Sequence, residues 1–300
     1  MTIPMICGPT AAGKTAAACA VFGGKDVLAI SLDSMQVYTG MDIGTAKPDP
    51  EERSRLEHVM IDCADPRQVW SVGTHLKQTE AWITRARESG RQVVLVGGTG
   101  LYVKGLINGL FDGPARDPAL RAELEEREKT RPGVLYRELL GRDPETAKRL
   151  SQADIRRIIR ALEVLTLTGT GITRLQREQT VRNPLKFLLA GLIVDRDELA
   201  RRIEERVDRM YGAGLVDEVR DLLDSGCHEA LPSMQGVGYR ETIAFLRGRI
   251  SLDEARAQCI VNTRSLAQKQ IMLFRRIPEL VWFHARDHER LAAYLAGGSG

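Results

Sequence analysis

Residues 8–15 read GPTAAGKT and fit the spacing G-x-x-x-x-G-K-[ST], with Gly8, Gly13, Lys14 and Thr15 in the required places. A loop of this kind holds a chain of phosphates. Backbone N–H groups along Gly8, Pro9, Thr10, Ala11, Ala12, Gly13, Lys14 and Thr15 point inward at oxygen, proline alone having none to give. The helix expected from near Gly13 adds the positive end of its dipole. Lys14 would neutralise phosphate charge, and the Thr15 hydroxyl is placed to ligate Mg²⁺. A conventional P-loop kinase or NTPase also carries an apolar strand closed by Asp. Here VVLV is closed by Gly97-Gly98-Thr99-Gly100, whereas LAISLD ends in Asp33 and runs on into SMQVY. An acid at that edge of a sheet could bind Mg²⁺ or act as a base.

These residues need a sheet edge to converge on. IPMIC (3–7) is a short apolar strand running into the loop, and AGKTAAACAVF is a helix. VLAISLD (27–33) and VVLVGGTG (93–100) are further apolar strands, with a helical pattern over 72–89 between them. Continuous apolar strands alternating with helices predict a parallel sheet covered on both faces. The pattern breaks at FDGPARDP. Asp117-Pro118 and Asp143-Pro144 each start a helix, with Asp as cap and Pro in the first turn. The expected organisation is a P-loop core over 1–113, a helical insertion over 114–181, and a core continuation with a helical, basic region over 182–300. Within the continuation, LKFLLAGLIVD (185–195) and LVWFHA (280–285) read as strands, and about 197–225 and 252–275 as helices. The fold class is α/β, a P-loop NTPase-like parallel sheet core with a helical insertion domain.

The 300 residues suffice for one large or two modest domains. A formal charge of +3 excludes a globally polycationic chain, so a nucleic-acid partner needs a local basic face. Cys7, Cys19, Cys63, Cys227 and Cys259 are scattered with no metal-ligand spacing, as expected of thiols in a reducing compartment. No signal peptide is visible and no apolar run approaches the roughly 20 residues that span a bilayer. The expectation is a cytoplasmic enzyme with no membrane partner.

GPTAAGKT, DSMQVYTGMDIGTAKP (33–48), GGTGLYVKGL (97–106) and GVGYRE (236–241) occur in this order and spacing. Together they resemble the tRNA dimethylallyltransferases, or tRNA isopentenyltransferases, over nearly the whole chain. The resemblance implies transfer of a dimethylallyl group from dimethylallyl diphosphate. The acceptor would be the exocyclic amino group of the adenosine 3′ of the anticodon, in tRNAs reading codons that begin with U. The loop at 8–15 then becomes a diphosphate site, with Mg²⁺ held by Thr15 and Asp33. Asp33 becomes the general base, and Thr99 the hydroxyl that orients the amino group or the base. The family's Arg four residues before a Met corresponds to Arg206, a diphosphate clamp. Arg202 and Arg209 read as a solvated face paired with Glu198, Glu205 or Asp208. A monomer suffices for this chemistry.

Basic residues cluster locally. Arg156, Arg157 and Arg160 lie opposite Ile155, Ile158, Ile159 and Leu162, while Gln268, Lys269, Arg275 and Arg276 sit near the last long helix. The resemblance maps tRNA contacts onto residues 33–36, Thr99, Arg121, 156–160, 235–240 and 268–275, chief among them Asp33, Ser34, Met35, Gln36, Arg156, Arg157, Arg160, Gly236, Val237, Gly238, Tyr239, Arg240, Gln268, Lys269 and Arg275. Most would touch phosphate and sugar of the anticodon stem-loop. Gln36 would read the edge of a flipped-out adenine. The chain departs from the family at IMLFRR, where relatives often carry Thr-Trp before Phe-Arg; this weakens a contact at Met272 and Leu273.

Three other readings share some of these features. A prenyltransferase of free adenine nucleotides shares the cradle and Asp33 but has no use for the insertion or the basic C-terminal region. An ATP-binding kinase or switch protein would require a conventional acid after VVLV. A P-loop binding module without catalysis leaves Asp33, Thr99 and Arg206 unexplained.

Overall fold

The computed structural model describes residues 2–111, 113–180 and 183–297. The chain divides into two compact units, Met1–Ile107 with Pro184–Gly300, and Asn108–Asn183. The second contains the segment expected as an insertion over 114–181. It begins at Asn108, where the preceding helix ends.

The first unit is built from β1 (Thr2–Cys7), α1 (Lys14–Phe22), β2 (Val27–Ser31), α2 (Pro50–Arg55), β3 (Glu57–Val59), α3 (Val72–Glu88), β4 (Gln92–Gly97) and α4 (Gly100–Asn108). The second holds α5 (Pro118–Thr130), α6 (Val134–Arg142), α7 (Pro144–Ala147), α8 (Ile155–Thr168) and α9 (Ile172–Gln179). The first unit resumes with β5 (Lys186–Ile193), α10 (Arg196–Gly212), α11 (Leu215–Asp224), α12 (Tyr239–Leu246), α13 (Leu252–Phe274), β6 (Val281–His284) and α14 (His288–Ala296).

All six strands pair in parallel, in the order β3-β2-β4-β1-β5-β6. Alternate residues of each strand face opposite sides. Ile3, Met5, Leu28, Ile30 and Leu95 pack with Leu76, Ile83, Tyr102 and Leu106 of α3 and α4. Ile6, Ala29, Val94 and Ala190 pack with Ala17, Ala18, Phe22, Leu291 and Leu295 of α1 and α14. Both faces are covered, which is why the strands read as unbroken apolar runs. This is the P-loop NTPase-like α/β fold. Its carboxyl edge collects the loops after β1, β2 and β4, and so places residues 8–15, 33–36 and 98–99 together.

The 117–170 stretch is helical in pieces, with α5 and α7 capped as expected. Asp117 accepts from the Ala119 and Leu120 amides, and Asp143 from the Thr146 amide. The unit has its own core of Leu124, Leu135, Leu139, Ile158, Ile159 and Leu162. No helix among the described residues is long and apolar enough to cross a membrane. All five cysteines are free, and only Cys63 is exposed.

One buried group beneath the edge gives a pH prediction. His75 is fully buried, accepts from Trp70 Nε1 at Nδ1 (3.1 Å), and donates from Nε2 to the Ser31 carbonyl at the end of β2 (3.1 Å). Its ring stacks on Tyr102 at 3.9 Å between centroids. Burial lowers its pKa from 6.5 to about 4, against the opposing pull of the Ser31 carbonyl. Below pH 6.5 the unfolded chain gains a proton that the folded one refuses until about pH 4. Folding stability is therefore lost as pH falls through that window, by about 3 kcal/mol in total. Urea midpoints between pH 7 and 4 should show this slope, and His75→Asn should flatten it; an unchanged slope in the variant would reassign it to carboxylates.

Candidate active site

The loop after β1 is shaped by close approach. Gly8 has φ 156°, and a Cβ there would stand 2.7 Å from the Leu192 carbonyl oxygen of β5, so no other residue fits without moving the sheet. Ala11 takes a left-handed φ of 62°. Gly13 precedes α1 with no side-chain cap, and the Ala17 amide makes the first backbone bond of the helix, to Gly13 O. The amides of Gly13, Lys14, Thr15 and Ala16 are thus left without a protein acceptor among the described residues. They are the donors that an anion requires.

Two cations flank them. Lys14 bends back to donate from Nζ to Pro9 O at 2.8 Å. Desolvation lowers its pKa to about 8; Asp33 pulls it up and Arg206 pushes it down. Arg206, on α10, is likewise lowered by desolvation, with Asp33 again opposing. Its one hydrogen bond among the described residues is a long one, 3.5 Å from Nη2 to the Thr45 carbonyl. Neither Lys14 nor Arg206 makes a salt bridge to a carboxylate among the described residues, although Arg201, Arg202, Glu204 and Asp208 of α10 are all paired. Arg202 bonds Glu198 at 2.6 Å, as expected. Arg209 does not follow suit, because Glu205 is taken by Arg201 and Asp208 by Arg256.

Asp33 follows β2 in an Asx turn. Its Oδ1 accepts from the amides of Met35 (2.8 Å) and Gln36 (3.3 Å), leaving Oδ2 uncommitted among the described residues. Thr99 fixes this turn from the adjacent loop. Its Oγ1 accepts from the Ser34 amide at 3.0 Å, and its own amide donates to Leu32 O. The structure thus brings Lys14, Asp33, Thr99 and Arg206 to one edge of the sheet. Thr15 stands in the first turn of α1, its hydroxyl without a protein partner among the described residues.

The expected RNA residues divide. Met35 packs beside Gly236, where a Cβ would stand 2.6 Å from Met35 Cε, so the 33–36 and 236–240 segments are neighbours. Gln268, Lys269 and Arg275 are exposed on and just after α13, and Arg240 is exposed while bonding Glu241. At Tyr239 the side chain faces the protein interior. It is 1 % exposed and its hydroxyl donates to Glu218 at 2.7 Å, because the ring fills the space over Gly44. The Gln36 amide is already engaged, accepting from Ser31 Oγ (2.9 Å) and donating to Ala46 O (3.1 Å). An adenine edge would have to share it.

In the second unit, Arg156 and Arg157 are exposed. Arg121 and Arg160 instead converge on Glu163. Arg121 grips it with Nε (2.7 Å) and Nη2 (2.8 Å), Arg160 with Nη1 (2.6 Å), and the Asp117 amide adds a fourth bond. Burial works to raise the Glu163 pKa, but these bonds outweigh it and hold the carboxyl at about 2. Both arginines remain 23 % and 28 % exposed, so each keeps N–H groups for a phosphate.

Two positions make contacts that the sequence expectations did not include: Glu218, and Gln270 within the 268–275 stretch expected to meet RNA. Glu218 on α11 accepts from the amides of Asp42 (2.9 Å), Ile43 (2.6 Å) and Gly44 (3.1 Å), holding the loop that offers Thr45 O to Arg206. Gln270 on α13 accepts from the Thr10 amide and donates to Gly98 O, both at 2.8 Å. Neither belongs to a local motif, and only contacts between distant segments reveal them.

The IPP transferase family pattern matches residues 36–277. The chain is 42% identical over 297 residues to a protein of Syntrophus aciditrophicus named tRNA dimethylallyltransferase 2, covering 97% of this chain and 94% of that one. It is 44% identical over 299 residues to the tRNA dimethylallyltransferase of Pelotomaculum thermopropionicum, with the same coverage. The crystal structure of the full-length tRNA isopentenylpyrophosphate transferase from Bacillus halodurans superposes with a TM-score of 0.72 at 36% identity, covering 99% of this chain and 98% of that one. A family match across most of the chain, relatives above 40% identity and a shared fold agree: the chain belongs to the IPP transferase family, that of the tRNA dimethylallyltransferases.

Proposed function

We propose that this protein transfers the dimethylallyl group of dimethylallyl diphosphate to the exocyclic amino group of the adenosine 3′ of the anticodon, in tRNAs reading U-initial codons, and releases diphosphate. The observation that carries the reading is the pair of desolvated cations, Lys14 and Arg206, without a carboxylate partner beside the open amides of α1. That is a site waiting for a polyanion. The uncommitted Oδ2 of Asp33 adds a proton acceptor to it.

The residues divide the work. Allylic carbon–oxygen cleavage builds negative charge on the diphosphate, which Lys14, Arg206 and the amides of residues 13–16 stabilise. The adenine amino group is a poor nucleophile because its lone pair is delocalised into the ring. Asp33 Oδ2 takes its proton as it attacks. Thr99 keeps the turn bearing Asp33 in place through the Ser34 amide. Mg²⁺ suits the donors present, since Thr15 and Asp33 offer hard oxygens unspent on protein bonds. Bound there, it would neutralise charge on the leaving group. Asp33 has only one uncommitted oxygen, so we give that atom the proton and Thr15 the metal. Exposed Arg156, Arg157, Arg240, Lys269 and Arg275 supply the phosphate contacts to RNA.

The test is transfer of label from dimethylallyl diphosphate carrying a radioactive prenyl group, to an unmodified anticodon stem-loop and separately to AMP. Label in the RNA and none in AMP is expected. Label in AMP alone would establish a nucleotide prenyltransferase. No label in either, with ATP hydrolysis, would establish a kinase-like protein.

A further inference from the structure

Gln270 spans two loops of the site from a helix near the end of the chain. Its Oε1 accepts from the Thr10 amide, 260 residues away, and its Nε2 donates to the Gly98 carbonyl, 172 residues away, both at 2.8 Å. The first loop is the phosphate cradle; the second carries Thr99, which holds the turn of Asp33. A Cβ on Gly98 would stand 2.7 Å from Gln270 Nε2, 3.1 Å from Gly8 O and 3.4 Å from Lys14 Nζ. The amide, the cradle and the lysine therefore share one crowded point, which leaves room for no side chain at residue 98. An amide is required there, because one partner is a donor and the other an acceptor. Gln270 follows Lys269 on α13 but turns inward to the two loops, while the Lys269 side chain is exposed.

We propose that Gln270 is a positioning residue for transfer. Resting on the function proposed above, it sets the distance between the diphosphate cradle and the loop that aims the base. It ties that spacing to the helix on which RNA docks. The reacting carbon is attached to the diphosphate and the reacting nitrogen belongs to the RNA, so this spacing fixes how far apart the two start. A displacement of about 1 Å between reacting groups costs on the order of 10²-fold in rate.

The test compares wild type, Gln270→Ala and Gln270→Glu. The glutamate keeps the acceptor for Thr10 and loses the donor to Gly98; alanine loses both. Single-turnover transfer to the stem-loop, stem-loop Kd, and the affinity for inorganic diphosphate are measured for each, with the thermal midpoint. In Gln270→Ala the rate is expected to fall about 10- to 100-fold. Its RNA Kd should stay within about twofold and its midpoint within a few degrees, and Gln270→Glu, whose carboxylate would face the Gly98 carbonyl and add negative charge beside the cradle, should not recover the rate and should also weaken diphosphate binding. A rate within about twofold of wild type in Gln270→Ala would overturn the proposal. So would a loss that tracks falling RNA affinity and midpoint together, which is the behaviour of a packing residue. Should wild type transfer no label at all, the proposed function fails instead. Diphosphate affinity then still reports on Gln270, and an unchanged value in Gln270→Ala would overturn its role in shaping the cradle.

Discussion

Asp33→Asn is expected to lower transfer to the stem-loop by about 10²- to 10⁴-fold, the range that a general base contributes. The substitution isolates the charge. Asparagine keeps an Oδ1 that can accept from the Met35 and Gln36 amides, so the turn survives. It replaces Oδ2 with a donor, and the adenine proton then has no acceptor. The cradle should respond in the opposite direction. Asp33 is a negative charge near Lys14 and Arg206, raising the pKa of both. Removing it relieves repulsion against an incoming anion. Inorganic diphosphate, measured without Mg²⁺, should therefore bind Asp33→Asn at least as tightly as wild type. Single-turnover rates and calorimetric titrations check the two halves. A transfer rate within about threefold of wild type would remove Asp33 as the base. Weaker diphosphate binding confined to buffers containing Mg²⁺ would move Asp33 to the metal.

What the sequence made legible follows the locality of each feature. GPTAAGKT is contiguous, and strand, loop and helix flank it in order, so its geometry could be read directly. Asp33 and Thr99 were legible because each follows an apolar strand, and parallel strands deliver their ends to one edge. β3 was not, being three residues long on the sheet's border, too short for any period to show. The reading of 197–225 as one helical region missed the break at Ala213-Gly214, where Gly214 takes a φ of 103° to start α11. Glu218, and the tie that Gln270 makes from within the stretch expected to meet RNA, were illegible for a different reason. Each looks like an ordinary polar residue on a helix, and its meaning lies in backbone groups more than 170 residues away. Arg121 and Arg160 show the converse. Their charge was plain, but the buried Glu163 that holds them could be recognised only once α5 and α8 were packed together.

Arg206→Met is expected to lower transfer by about 10²- to 10³-fold, the loss on removing one donor aimed at developing charge. It should nevertheless leave the ligand-free protein at least as stable as wild type. The two effects share a cause. The guanidinium is desolvated, makes a long bond to Thr45 O, and lies close enough to Lys14 to lower its pKa. Methionine has a similar reach, carries no charge to desolvate, and removes that repulsion. A desolvated cation with no carboxylate partner among the described residues fits a site whose counter-charge arrives with the substrate. Ligand linkage makes this measurable. An anion binding only the folded state stabilises it by RT ln(1 + [L]/Kd), about 2.7 kcal/mol at 100 Kd. Inorganic diphosphate should thus raise the melting temperature of wild type clearly and of Arg206→Met much less. The two proteins would then melt in opposite order with and without the ligand. Arg206→Lys, which keeps the charge and loses the fork, should fall between them. A variant that melts below wild type without ligand, yet gains the full shift from diphosphate, would make Arg206 a support for the 42–47 loop. The cradle charge would then rest on Lys14 and the α1 amides alone.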